Sequence, residues 1–117
     1  MKGDRPKRTR ELTNAVRDLI HLYGGYCWRN NNQPRIIKGK AVYPDKAAIG
    51  TPDLIAMMPN GVTLWIEIKI SPDKLRPSQV GFEFEATNRS HKYLVVRDST
   101  EELVSFLTMQ KLAQVAP

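Results

Sequence analysis

The sequence predicts an α/β domain in the order helix, three strands, helix, strand, helix, its mixed sheet flanked by helices. Three observations carry this. Apolar residues follow helical spacing between Glu11 and Tyr23; two apolar runs of strand length flank Pro59-Asn60-Gly61; and a helix opened by Pro77 is followed by the apolar run Tyr93-Leu94-Val95-Val96. At 117 residues the chain has room for one core. Residues 10–117 are expected to form that single domain, and residues 1–9, polar, basic and proline-containing, a flexible arm.

The first helix rests on Leu12, Ala15, Val16, Leu19, Ile20 and Tyr23, and Gly24-Gly25 stops it where a left-handed residue commonly ends a helix. Tyr26-Cys27-Trp28-Arg29 is an aromatic strand, with Trp28 expected in the core. From Asn30 to Gly50 no periodicity survives the Asn, Pro and Gly content, and the segment reads as a long functional loop. Asp53 to Met58 and Val62 to Ile70 then form an antiparallel hairpin, since Asn-Gly supplies the positive backbone angles of a tight turn. Because strand side chains alternate, Leu64, Ile66, Ile68 and Ile70 share one face, and Trp65, Glu67 and Lys69 the other.

Ser71 to Arg76 is a polar link. Pro77 opens a helix through about Asn88, a position where its missing N–H does no harm, with Val80 and Phe84 expected on the buried side. Lys92 to Arg97 is a buried strand, and Ser99-Thr100-Glu101-Glu102 resembles a capping box ahead of Leu103, Val104, Phe106 and Leu107.

Eighteen Lys and Arg against twelve Asp and Glu leave a net charge of +6, which favours a polyanionic partner. Cys27 is alone, so no internal disulfide forms, and His21 and His91 lack partners at zinc spacing. No serine or cysteine nucleophile carries a surrounding motif, and no glycine-rich phosphate loop follows a strand. No segment approaches the ~18 apolar residues of a membrane span, and no apolar stretch follows the basic N-terminus as in a secretion signal. The expectation is a protein of the cytoplasm, or of the nucleus in a eukaryote, without a membrane partner.

The chemistry concentrates between Gly50 and Lys69. Antiparallel pairing of the hairpin can bring Asp53 at the start of one strand close to Glu67 near the end of the other, and two carboxylates supply hard oxygen ligands for a divalent metal. The Ile68 carbonyl is a candidate third ligand, and Lys69 can reach a water or a phosphate from the face that Glu67 occupies. The competing view makes Asp53 a turn cap and Glu67 and Lys69 ordinary solvent-facing residues. Candidate contacts to nucleic acid are Arg8 and Arg10 near the arm, Arg29, Arg35, Lys38 and Lys40 in and beside the long loop, and Lys74 and Arg76 in the polar link.

Gly50-Thr51-Pro52-Asp53, Glu67-Ile68-Lys69, Gln79 and the helical Glu11 together resemble the PD-(D/E)XK nuclease superfamily, and most closely its VRR-NUC (virus-type replication-repair nuclease) branch. The resemblance spans Glu11 to about Arg97 and is similar in extent to small stand-alone, phage-borne versions. It implies a restriction-endonuclease-like core (αβββαβ plus a C-terminal helix) and Mg²⁺-dependent endonuclease activity, with Mn²⁺ as a substitute. Asp53, Glu67, the Ile68 carbonyl and Glu11 would hold metal, Lys69 would position water or stabilise the transition state, and Gln79 would orient Lys69 or the phosphate. It further implies branched DNA, such as Holliday junctions, and a homodimer. Two rivals stay open on the residues: a DNA-binding module of this fold without catalysis, and a sequence-specific restriction-type enzyme whose long loop reads bases.

Overall fold

A computed structural model describes residues 4–31, 33–43 and 45–115. The elements run α1 (Arg5–Leu22), β1 (Tyr26–Arg29), β2 (Arg35–Ile37), β3 (Lys40–Val42), β4 (Leu54–Met57), β5 (Thr63–Lys69), α2 (Pro77–Asn88), β6 (Lys92–Arg97) and α3 (Glu101–Val115). The main sheet has the order β1-β4-β5-β6, and β2 and β3 form a separate two-stranded sheet. β1, β4 and β5 are antiparallel neighbours, whereas β6 runs parallel to β5. The parallel pair follows from α2, which crosses over between β5 and β6. The α/β class and the mixed sheet are as the sequence predicts.

One face of the sheet presents Leu54 and Ala56 from β4, Leu64, Ile66 and Ile68 from β5, and Val96 from β6. Against them pack Leu12, Val16 and Ile20 of α1 and Leu103 and Leu107 of α3, all buried in one cluster. The α1 residues recur at i, i+4 and i+8, the stripe that a helix lays on a sheet. On the opposite face α2 sets Phe82 against Trp65, with ring centroids 5.4 Å apart in a T-shaped contact. The functional side chains of β5 lie on that second face.

Five expectations need correction. The basic arm is shorter than predicted, because α1 begins at Arg5 with Pro6 tolerated in its first turn. Arg5 reaches Asp73 at 2.9 Å and Arg8 reaches Asp98 at 3.3 Å, so distant acids draw this segment into the helix. Residues 1–3 of the predicted arm lie outside the described residues.

The long loop contains β2 and β3, a hairpin turning at Lys38 (φ 51°) and Gly39 (φ 77°). The sequence hid it because each strand has only three residues. Asn32 and Pro44 of that loop lie outside the described residues. The connection between β4 and β5 turns at Pro59–Gly61 as expected, but as a 3₁₀ turn rather than a hairpin turn built on Asn-Gly, and the antiparallel pairing is as expected.

Val80 and Phe84 are exposed, at 48% and 63%, while α2 turns Gln79 and Ala86 inward. Trp28 is likewise at the surface of the edge strand β1, beside Tyr26 at 5.8 Å. In both places hydrophobic spacing points an apolar residue inward although the interior takes another side chain. Among the described residues no helix is long and apolar enough to cross a membrane.

Candidate active site

The pairing of Leu54 with Ile66 sets Asp53 opposite Glu67, one residue past the end of the β4–β5 register. By alternation both carboxylates then project from the α2 face of the sheet. Asp53 Oδ2 accepts the Ile68 N–H at 2.9 Å, taking the place that a β4 carbonyl would fill had the strand continued. In a strand one residue's N–H and C=O point to the same edge, so the Ile68 carbonyl faces the edge where Asp53 sits.

The approach to Asp53 is held rigidly. Asn30 N–H donates to the Asp53 carbonyl at 2.8 Å, which extends the β1–β4 ladder past Arg29. The Asn30 side-chain amide donates to Thr51 Oγ1 at 2.9 Å and to the Pro52 carbonyl at 3.0 Å. Gly50 (φ 85°) lies so close to α2 that a Cβ there would stand 2.2 Å from the Ser78 carbonyl oxygen. Only glycine lets this turn dock on the helix start, and the docking brings Asp53 towards Gln79 and Glu67.

Glu67 is 2% exposed. Its Oε1 accepts from Gln79 Nε2 at 3.0 Å and lies 3.9 Å from Lys69 Nζ. Its Oε2 is buried and, among the described residues, meets no donor; the group that faces Glu67 across the strand pair is another acceptor, the Asp53 carboxylate. Burial, then the Asp53 charge, then a hydrogen bond to Asp53 push the Glu67 carboxyl up to about 8, against the smaller pull of Lys69 and Arg76. Without a cation the site thus favours a proton shared between two acids.

Tyr93 lies in the field of Glu67, and among the described residues its buried hydroxyl has no partner; burial first, and the charges of Glu67, Glu83 and Asp53 after it, hold that phenol protonated. The donor chemistry fits a hard divalent ion: two converging carboxylates, one oxygen orphaned, and a carbonyl at the same edge. The residues that would hold it are Asp53, Glu67 and Ile68.

Two predicted roles change. Glu11 is exposed and pairs with Lys7 at 4.0 Å on the surface of α1. Among the described residues no three Asp, Glu, His or Cys side chains gather to hold a metal, so Glu11 does not complete the Asp53–Glu67 pair. Its helical phase is set by Leu12, which takes the inward position next to it. Gln79 donates to Glu67 through its amide at 3.0 Å and has its oxygen occupied by the Arg76 N–H at 2.8 Å, so its contact in the site is with Glu67 rather than Lys69.

The cations fall into three groups. Arg10 and Arg29 line a cleft of about 650 Å³ together with Arg5, from the basic segment expected to meet phosphates, and Arg17, which the sequence reading passed over. Arg10 and Arg17 are seven residues apart, two helical turns, and that spacing was the available signal. Arg29 also borders a smaller cavity of about 250 Å³ that Asp53 lines. Arg35, Lys38 and Lys40 stand on the β2–β3 ribbon, and Lys74 and Arg76 are exposed between β5 and α2. Arg8 turns away from the cleft to Asp98. Asn30, the clamp on Asp53, was also missed, and nothing in the sequence distinguishes it from Asn31.

A four-stranded mixed sheet carries two carboxylates and a lysine where the β4–β5 pair ends. The chain is similar to a solved VRR-NUC domain with a TM-score of 0.63 at 18% identity, over 86% of this chain and 95% of that one. It has the VRR-NUC fold. No protein-family model and no curated protein matches the sequence.

Proposed function

We propose that this domain is a metal-dependent endonuclease that hydrolyses DNA phosphodiesters, with Mg²⁺ as cofactor and Mn²⁺ able to replace it. One observation carries the reading: a buried Glu67 oxygen without a donor among the described residues, facing the Asp53 carboxylate, with Lys69 Nζ 3.9 Å from the other Glu67 oxygen. A structural strand end would not set the buried Glu67 carboxylate against a second acid, because burying a carboxylate beside a like charge is unfavourable. A site built for a cation would.

When bound, the cation supplies charge neutralisation at the phosphate and an acidified water. The chain's own residues do the rest. Asp53 and Glu67 present their oxygens to the ion, with the Ile68 carbonyl beside them. Lys69 donates to the attacking water or to a phosphate oxygen as negative charge develops there. Gln79 holds the Glu67 carboxylate in one orientation. Arg10, Arg17 and Arg29 receive the sugar–phosphate backbone along the cleft, which is a sequence-independent mode of binding.

Branched DNA is the substrate class this reading favours, since among the described residues no zinc module gathers to read base edges, and shape with charge remains. A homodimer would present two such sites to a four-way junction of matching symmetry. The test is cleavage of linear, flapped and four-way DNA in Mg²⁺ and in EDTA, with sedimentation to fix the oligomeric state. The wild-type chain should cut in Mg²⁺ alone and prefer the branched forms, and Lys69→Ala should bind without cutting. Equal cutting by both proteins overturns the assignment of Lys69, and binding without any cutting by the wild type leaves a DNA-binding module.

A further inference from the structure

The β2–β3 ribbon has no place in the chemistry above, yet it is an unusual object to leave in solvent. All six strand residues are exposed, among them Ile36 at 70%, Ile37 at 50% and Val42 at 43%. A lone two-stranded hairpin is marginal in water and gains nothing by displaying β-branched side chains to it.

The register sorts these residues by face. Arg35 opposes Val42 and Ile37 opposes Lys40, so one face carries two cations and two apolar groups set diagonally. Ile36 and Ala41 share the other face. Lys38 occupies the tip with φ 51°, a left-handed conformation that Asn or Gly would adopt at lower cost. From Gln33 to Tyr43 there are three cations and no acid. The occupant that this charge admits is a polyanion.

Both ends of the ribbon return to the candidate site. Gln33, two residues before β2, lines the same cavity as Asp53. On the far side the chain comes back through Thr51 and Pro52, which Asn30 holds. Each three-residue strand spans roughly 10 Å, so whatever the ribbon grips lies within one DNA diameter of Asp53.

We propose that the ribbon is a DNA clamp for distorted substrate. Its mixed face sets Ile37 and Val42 against bases exposed by unstacking, while Arg35, Lys40 and the tip residue Lys38 hold the flanking phosphates. The inference rests on the nucleic-acid reading of the site and adds the feature of the substrate that is recognised. Apolar side chains meeting an opened base step account for the exposed Ile37 and Val42, and a regular duplex with its bases stacked offers them less. Selectivity for branched or kinked DNA would then reside in the ribbon rather than at the metal ligands.

The experiment uses the full chain in EDTA, so binding is read without cleavage. Four-way and linear DNA carrying 2-aminopurine at or away from the branch point are titrated with wild type, Ile37→Ser/Val42→Ser, Arg35→Gln/Lys40→Gln and Ile36→Ser. The apolar pair variant should lose about tenfold in affinity for the junction and much of the fluorescence rise, with its salt dependence intact. The cation variant should flatten the salt slope by about 0.9 for each phosphate it no longer neutralises. Ile36→Ser, on the opposite face, should behave as wild type. Circular dichroism and thermal unfolding should be unchanged in all three, because each replaced side chain is exposed.

If Ile37→Ser/Val42→Ser binds the junction as wild type does, the clamp is overturned. It is equally overturned if that variant only shifts the oligomeric state, which would make the face a contact between copies, or if Ile36→Ser alone weakens binding. A chain that never cuts DNA but shows the expected binding pattern upholds the clamp and fails the nuclease reading. A chain that cuts while its ribbon variants are silent does the reverse.

Discussion

Gln79 donates its side-chain amide to Glu67 Oε1 at 3.0 Å while its own oxygen accepts the Arg76 N–H at 2.8 Å, so both ends of that amide are fixed inside the first turn of α2. One carboxylate oxygen of Glu67 is thereby committed to the helix, and the other is left to the pocket. Gln79→Ala would release the carboxylate and leave Oε1 short of its buried donor. Mn²⁺ affinity, measured by calorimetry, should fall by about 10- to 100-fold, the usual effect of losing a group that orients a ligand. Gln79→Glu should be worse, since a third acid would crowd the first two. Unchanged affinity in both variants would remove Gln79 from the site.

Lys69 is the neighbour that separates catalysis from binding. Its side chain is 12% exposed and its ammonium lies 3.9 Å from Glu67, close enough to act at the pocket but not locked in a short ion pair. Lys69→Met keeps the length of the aliphatic stem and removes the charge. Single-turnover cleavage should drop by about 10²- to 10³-fold, as for loss of one preorganised donor, with DNA binding in EDTA retained. Lys69→Arg should rescue little, because a planar fork does not reproduce a point charge on a flexible stem. Full activity in Lys69→Met would refute the role.

Alternation along β5 made the shared face of Glu67 and Lys69 legible in the sequence, and the hairpin made Asp53 their partner, because both follow from period-two geometry. Glu11 was misplaced for the converse reason: α1 starts at Arg5, so Glu11 lies inside the helix, and the stripe Leu12, Val16 and Ile20 turns it outward. Gln79 was found but misassigned, since the capping bond from Arg76 is invisible without coordinates. On α2 the polar Gln79 occupies the interior that Val80 and Phe84 were expected to fill, a reversal that hydrophobic spacing cannot foresee at a functional site. The ribbon escaped because three-residue strands fall below any periodicity. Asn30 escaped because its role is a contact across 21 positions of sequence.

Gly50 should be intolerant of any side chain. Its φ of 85° disfavours L-residues, and a Cβ would meet the Ser78 carbonyl oxygen at 2.2 Å, a backbone atom that cannot swing aside. Gly50→Ala is expected to destabilise the fold by about 2 kcal/mol or more, lowering Tm by roughly 5–10 °C. Because the same turn delivers Asp53, metal affinity should fall too. Gly39→Ala also meets a positive φ, of 77°, but no neighbouring atom, and should cost less. Equal stability of the two variants would show that the contact with α2 contributes nothing.

The raised Glu67 carboxyl predicts an unusual pH dependence for the metal-free protein. Its ordinary value is 4.5 and its folded value about 8, so between those limits the folded state holds a proton that the unfolded state has released. The native state therefore binds more protons, and stability from this group is fully present below about 4.5 and is lost as pH rises through about 8. Asp98 works in the opposite sense at the acid end: hydrogen bonds from the Ser71 hydroxyl and N–H hold its carboxyl below 3.8, so its contribution is lost only as pH falls through that lowered value. In EDTA, Tm should thus decline from pH 5 to pH 8.5. Glu67→Gln should flatten that decline, since it carries no titrating proton. A divalent cation favours the ionised acid, so Mg²⁺ should raise Tm more at pH 8 than at pH 5, where the proton competes for the same oxygens. A Tm profile in EDTA that is the same for wild type and Glu67→Gln would sever the link between the two carboxylates and the stability of the fold.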